Sequence, residues 1–130
     1  PEKTLYAVKL AGVYDLLLES ERATHLIAHL KERDAQNAEV LNETGNAFYR
    51  YKYFAHAKDC YQRAIRLVPT ESVYHSNLGL ALRELNDLPA ARAAFQQAVY
   101  LRPFNSVNHN DLGNLLYLQK EEALAIAAYR

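Results

Sequence analysis

Between residues 38 and 51, Leu41, Thr44, Gly45 and Phe48 fall at i, i+3, i+4 and i+7. That spacing paints one face of an α-helix, so the segment predicts a helix with a single buried stripe. After a short break, Ala57, Tyr61 and Ala64 give a second helix its own stripe. Pro69 cannot continue that helix and ends it. The product is a helical hairpin that cannot bury its apolar face alone, so neighbours must stack on it.

The pattern returns after 34 residues. Gly45, Gly79 and Gly113 keep that interval, as do Pro69 and Pro103. So do Ala57, Ala91 and Ala125, and the large residues Tyr61, Phe95 and Tyr129. Phe48, Leu82 and Leu116 follow, with Ala64 and Ala98. "YQRAIRLVP" (61–69) is echoed by "FQQAVYLRP" (95–103). A fixed period of this length marks a stacked-repeat architecture. Gly and Ala at fixed places allow close backbone approach, and the bulky residue one turn away fills the gap. Thr70 and Asn105 are expected as polar caps after the two prolines. Asp87 is expected to cap the second helix of its unit, with Pro89 tolerated in the first turn.

These residues resemble the tetratricopeptide repeat (TPR) pattern of L-G-x2-Y, A-x3-F, A and P. One repeat spans 38–71 with Leu41, Thr44, Gly45, Phe48, Ala57, Tyr61, Ala64 and Pro69 in place. A second spans 72–105 with His75, Leu78, Gly79, Leu82, Ala91, Phe95, Ala98 and Pro103. A truncated third spans 106–130 with His109, Leu112, Gly113, Leu116, Ala125 and Tyr129. Residues 1–37 are expected to hold a degenerate fourth repeat, through Leu10, Ala11, Tyr14, Ala23, Ile27 and Leu30, with Ala35 at the proline position; the alternative is an unrelated capping helical hairpin with a similar hydrophobic pattern. The resemblance implies an all-α, right-handed superhelical solenoid of antiparallel helix hairpins. The start at Pro1 and the absence of Met read as an excised fragment. The parent is expected to continue past Arg130, or a second chain to cover the open third repeat.

In the family, the first helices line a concave groove. By resemblance the groove positions are Glu39, Asn42, Glu43, Asn46, Tyr49 and Arg50, then Val73, Ser76, Asn77, Leu80, Arg83 and Glu84. In the third copy they are Val107, Asn110, Asp111, Asn114, Tyr117 and Leu118. The peptide-groove candidates are Asn42, Asn46, Tyr49, Arg50, Asn77, Leu80, Arg83, Asn110, Asn114 and Tyr117. Asn carries a donor and an acceptor, so it can pair with a peptide backbone whatever its side chains. The bland alternative is that Asn is ordinary on the solvated helix faces of this family. One TPR subclass grips acidic chaperone tails with a two-carboxylate clamp. Asn46 and Asn77 match its asparagines, but Asn42, Val107 and Asp111 replace its cations. Carboxylates need paired cations, so a neutral or partly basic peptide is expected.

Composition narrows the chemistry. Fifteen basic residues balance fifteen acidic ones, which removes a whole-domain electrostatic case for nucleic acid or an anionic membrane. The aromatic-basic run Tyr49-Arg50-Tyr51-Lys52-Tyr53-Phe54 lacks the continuous basic track of a base-stacking platform. It reads instead as a helix end and a turn, with Tyr51 and Tyr53 exposed beyond what the family asks for and Phe54 at the hairpin corner. The lone Cys60 excludes an intrachain disulfide; His56, four residues upstream, could approach it, but no third group is identifiable to make it a nucleophile. His25 and His29 share a helix spacing but lack a third ligand. His75 and His109 read as interhelix packers, and His56 as solvated. No Gly-rich phosphate loop is present. The expectation is a non-enzymatic protein-protein interaction module, a scaffold or adaptor holding a partner peptide in its groove. No cofactor, metal, nucleic acid or membrane insertion is expected, and cytoplasmic placement is the working expectation. The alternatives are a substrate-recruiting segment of a larger enzyme and a self-assembly module acting through the open C-terminal repeat.

Overall fold

The structure, a computed structural model, describes residues 2–16, 25, 28–29, 32 and 36–129. Among these, the elements are six α-helices: α1 (Glu2–Leu16), α2 (Ala38–Arg50), α3 (Phe54–Leu67), α4 (Ser72–Glu84), α5 (Leu88–Leu101) and α6 (Ser106–Tyr129). The chain divides into two compact units, residues 1–69 and 70–130.

In the first unit α2 and α3 form an antiparallel hairpin, and α1 packs on α2. The predicted stripes are the core: Leu41, Thr44, Gly45 and Phe48 of α2 are buried, as are Ala57, Tyr61 and Ala64 of α3. The tightest approach is at Gly45, where an added Cβ would lie 2.6 Å from a Tyr61 ring carbon. Asn37 caps α2, its side chain accepting from the Val40 amide at 3.1 Å. On α1, Thr4, Val8 and Ala11 are buried, one helical face, while Leu10 is half-buried. The side chain of Tyr14 lies outside the described residues, as do Ala23, Ile27, Leu30 and Ala35.

The turn from α2 to α3 departs from expectation. Tyr51 and Tyr53 are half-buried, not exposed. Tyr53 meets Phe48 edge-on at 6.3 Å between ring centroids. His56, expected in solvent, is half-buried with its ring 5.4 Å from Phe48 and 6.1 Å from Tyr53. Tyr53 and His56 therefore cover the end of the hairpin core at Phe48. Lys52 takes a left-handed conformation (φ 66), and the Tyr53 amide reaches back to the Phe48 carbonyl at 2.8 Å. That geometry is a Schellman-type helix stop.

In the second unit α4 and α5 repeat the hairpin, and α6 packs on α5. Leu82, Leu88, Ala91, Ala94, Phe95 and Leu115 form its core, with Leu78, Leu80, Ala90 and Leu112 packed against it. Asn86 is left-handed (φ 62), 34 residues after Lys52, and the Asp87 amide donates to the Leu82 carbonyl at 2.9 Å. Asp87 caps α5 through the Ala90 amide at 3.4 Å, with Pro89 in the first turn. Asn105 caps α6 through the Asn108 amide at 3.2 Å. Thr70 does not cap: Glu71 holds the N-cap position of α4, without a side-chain hydrogen bond.

The third copy differs most. The sequence pattern places a turn after its first helix, yet α6 runs unbroken for 24 residues. At the positions of Lys52 and Asn86 stands Lys120, within Gln119-Lys120-Glu121-Glu122-Ala123-Leu124-Ala125. These are mostly strong helix formers. Glu122 also replaces the apolar Phe54 and Leu88 that begin the second helices of the closed copies. Nothing therefore stops the helix or anchors a return. Consequently Gly113, Leu116 and Ala125, expected as packing positions, are exposed.

Candidate peptide groove

The first helices of the second and third repeats, α4 and α6, flank a cleft in the second unit. Its volume is about 440 Å³. From α4 it takes Ser72, Val73, Ser76, Asn77 and Leu80. From α6 and the preceding turn it takes Arg102, Asn105, Val107, Asn108 and Asp111. The helical spacing of 73, 76, 77 and 80 puts these residues on one face of α4. Leu80 also packs against the core, so that wall of the cleft is anchored from behind.

A buried polar knot fixes the floor. The Asn108 side-chain amide donates to Ser72 Oγ at 2.9 Å and to the Ala98 carbonyl at 3.2 Å. Ser72 Oγ donates to the same carbonyl at 3.0 Å. The start of α4, the end of α5 and the start of α6 are thus tied at one oxygen. Inside the unit, where water cannot substitute, each such partner is costly to lose. Further along, the Ser76 hydroxyl donates to Asp111 at 3.3 Å across the cleft.

Of the sequence-predicted residues, Asn77 and Leu80 line this cleft. Arg83 is half-buried beside Glu84, with nitrogen and oxygen 3.9 Å apart. Asn110, Asn114 and Tyr117 are exposed on α6 and do not line it. The others lie in the first unit. Asn46 Oδ1 accepts a 2.6 Å hydrogen bond from the Tyr61 hydroxyl, so its acceptor is already committed. Burial pushes the Tyr61 phenol well above its ordinary value of 10.0, and negative charge at Cys60 and Tyr49 adds to this; it stays a donor. Tyr49 is half-buried edge-on against Phe54, 5.2 Å between centroids. Asn42 is half-buried and already has an interaction partner, and Arg50 is exposed.

Asn108, Ser72, Arg102 and Asn105 were not foreseen as part of this site. A signal existed for Asn108: Val40 and Tyr74 hold its position in the other copies, and a polar residue there asks for a buried partner. His109, expected to pack like His75, is exposed and its Nε2 lies 2.6 Å from the Pro103 carbonyl. His75 is half-buried. Cys60 is buried. Among the described residues, no group of three His, Cys, Asp or Glu side chains comes together. Nor is any helix there long and apolar enough to cross a membrane.

A sequence profile described as Tetratricopeptide repeat matches residues 38–71 and 72–105, half of the chain. The chain belongs to the TPR family. The profile's boundaries coincide with those the 34-residue period defines. No curated protein matches the chain significantly. Solved TPR structures do. The first TPR of Spaghetti (RPAP3), bound to the HSP90 peptide SRMEEVD, is 22% identical with a TM-score of 0.63, covering 95% of this chain and 94% of that one. The second TPR domain of human RPAP3, in complex with the HSP70 peptide SGPTIEEVD, is 21% identical with a TM-score of 0.63, covering 88% and 97%. MamA is 19% identical with a TM-score of 0.67, covering 99% of this chain and 70% of that one. At these identities the likeness is one of fold, an all-α array of TPR hairpins.

Proposed function

We propose that this TPR chain is a protein-interaction module that holds an extended partner peptide along the first helices of its second and third repeats. The observation that carries this is the α4–α6 cleft. Val73, Leu80 and Val107 offer apolar contact, while Asn77, Ser76 and Asp111 supply donors and acceptors at helical spacing along it. Apolar walls with a few placed polar groups are what an extended peptide needs. The similar RPAP3 domains carry peptides ending in EEVD. In this chain Val107 and Asp111 stand where a carboxylate clamp needs cations, and Asp111 would repel an acidic tail. The partner is therefore a neutral or partly basic peptide, recognised without catalysis and in preference to nucleic acid, given a net charge of zero.

An array of short synthetic peptides with neutral, basic and acidic ends tests this. Neutral and basic peptides should bind best. Changing the surface pair Val73→Ala and Asn77→Ala should weaken binding about tenfold, or ~1.4 kcal/mol. A preference for acidic ends, or binding unmoved by the pair, would overturn the reading. A second reading, self-association through the C-terminal repeat, is favoured by one observation: a Cβ at Gly113 would meet nothing within 4 Å.

A further inference from the structure

Two repeats close on themselves. The aromatic residue sixteen positions after the glycine seats on it, Tyr61 on Gly45 and Phe95 on Gly79. Added Cβ atoms there would lie 2.6 and 2.5 Å from ring carbons. The third repeat has the same glycine, Gly113, and the same kind of residue sixteen positions on, Tyr129. Yet the slot at Gly113 is empty, because both positions lie in the one straight helix α6.

Helix geometry decides what can fill the slot. An α-helix advances about 100° and 1.5 Å per residue. Sixteen residues therefore carry position 129 about 24 Å along α6 and leave it about 160° round from position 113. The slot and the segment suited to it sit on nearly opposite faces of one rod. Closing them within one chain needs a left-handed residue at Lys120, as at Lys52 and Asn86, but Lys120 is helical.

We infer that the slot at Gly113 receives the 122–129 segment of a second copy of this chain, and that copies join head to tail. The inference rests on the self-association reading and is independent of the peptide reading. The occupant follows from the two closed hairpins, which already show this glycine-aromatic seam formed by the same sequence pattern. Opposite faces rule out mutual exchange between two copies. A neighbour seated on one side of α6 cannot also receive that helix's tail on the other side. Each contact leaves one slot and one tail open, so the interface is heterologous and the assembly grows. Leu116, one turn from Gly113, and Ile126, one turn before Tyr129, are both exposed and extend the apolar surface of slot and tail.

Sedimentation and light scattering over a concentration series test this, with two variants. Gly113→Ala adds a methyl where the single chain has open space, yet blocks the slot as it would at Gly45 or Gly79. Tyr129→Ala removes the plug and keeps the slot. Wild-type mass should rise with concentration and pass that of a dimer. Each variant alone should stay monomeric. Mixed one to one, they should form a heterodimer and stop there, because the complex has one working slot and one working tail, already joined. A monomeric wild type overturns self-association altogether. A wild type that plateaus as a dimer, or Gly113→Ala that still associates, overturns the head-to-tail arrangement while leaving peptide binding untouched.

Discussion

At Gly45 and Gly79 the absence of a side chain creates the contact. Alanine suits a helix interior better than glycine by ~1 kcal/mol. At Gly79 that gain is outweighed, since a Cβ would come within 2.5 Å of a Phe95 ring carbon. Overpacking of this kind costs ~1–3 kcal/mol. Gly79→Ala is therefore expected to lower stability in urea titrations, whereas Gly113→Ala, compared at concentrations where both chains are monomeric, should raise it by up to ~1 kcal/mol. Opposite signs at two repeat-equivalent positions separate packing from intrinsic propensity. Tyr61 gives a pH-dependent counterpart. Burial raises its phenol above the ordinary 10.0, so the native state favours the neutral form more than the unfolded chain does. Its contribution is fully present below pH 10 and is lost as pH rises above that value. The stability advantage of wild type over Tyr61→Phe should shrink above pH 10 in paired denaturation curves; a constant difference would sink the assignment.

At the scale of elements, the two closed hairpins were legible because spacing, small residues and prolines all agree with one packing arrangement. The long α6 was not. The repeat pattern keeps Gly113, Ala125 and Tyr129 in place, and those positions report the packing of a hairpin, not the chemistry of its turn. Turn chemistry is carried by Lys120 and Glu122, which are helix formers with no apolar anchor. The polar knot was also hidden: Asn108 stands where the other copies carry Val40 and Tyr74, but the groups that pair with it emerge only where the ends of three helices meet. It sits at 4% exposure with two hydrogen bonds. Asn108→Ala leaves Ser72 and the Ala98 carbonyl with one partner fewer, and should destabilise the second unit by ~1–3 kcal/mol. Amide exchange should rise at the start of α4 and the end of α5 while the α2–α3 hairpin is unaffected. Uniform or absent change would show the knot is not what holds those ends.

For the whole molecule, repeat position locates the groove face but not its occupant. Asn77 and Leu80 are placed on this face by the resemblance to the family's groove positions; the depth of the cleft could not be placed, since it depends on the knot beneath it. The charges along the cleft then set what can enter. With no net charge on the chain, long-range steering is weak, and selectivity depends on groups at the cleft itself. Asp111 is the acidic one, bonded to Ser76, and Val107 beside it is exposed. Replacing both, Val107→Lys with Asp111→Arg, puts two cations where the clamp subclass carries them. The variant should gain affinity for a peptide with an acidic C-terminus by at least ~tenfold at low salt. The gain should fade as salt shortens the Debye length from ~30 Å at 0.01 M to ~8 Å at physiological ionic strength. Because both positions lie at the cleft surface, the fold should survive, which circular dichroism can verify. Fluorescence anisotropy with one acidic and one basic peptide reads the outcome. A reversal of preference places peptide recognition in the α4–α6 cleft; a folded variant with unchanged preference would move the binding surface elsewhere.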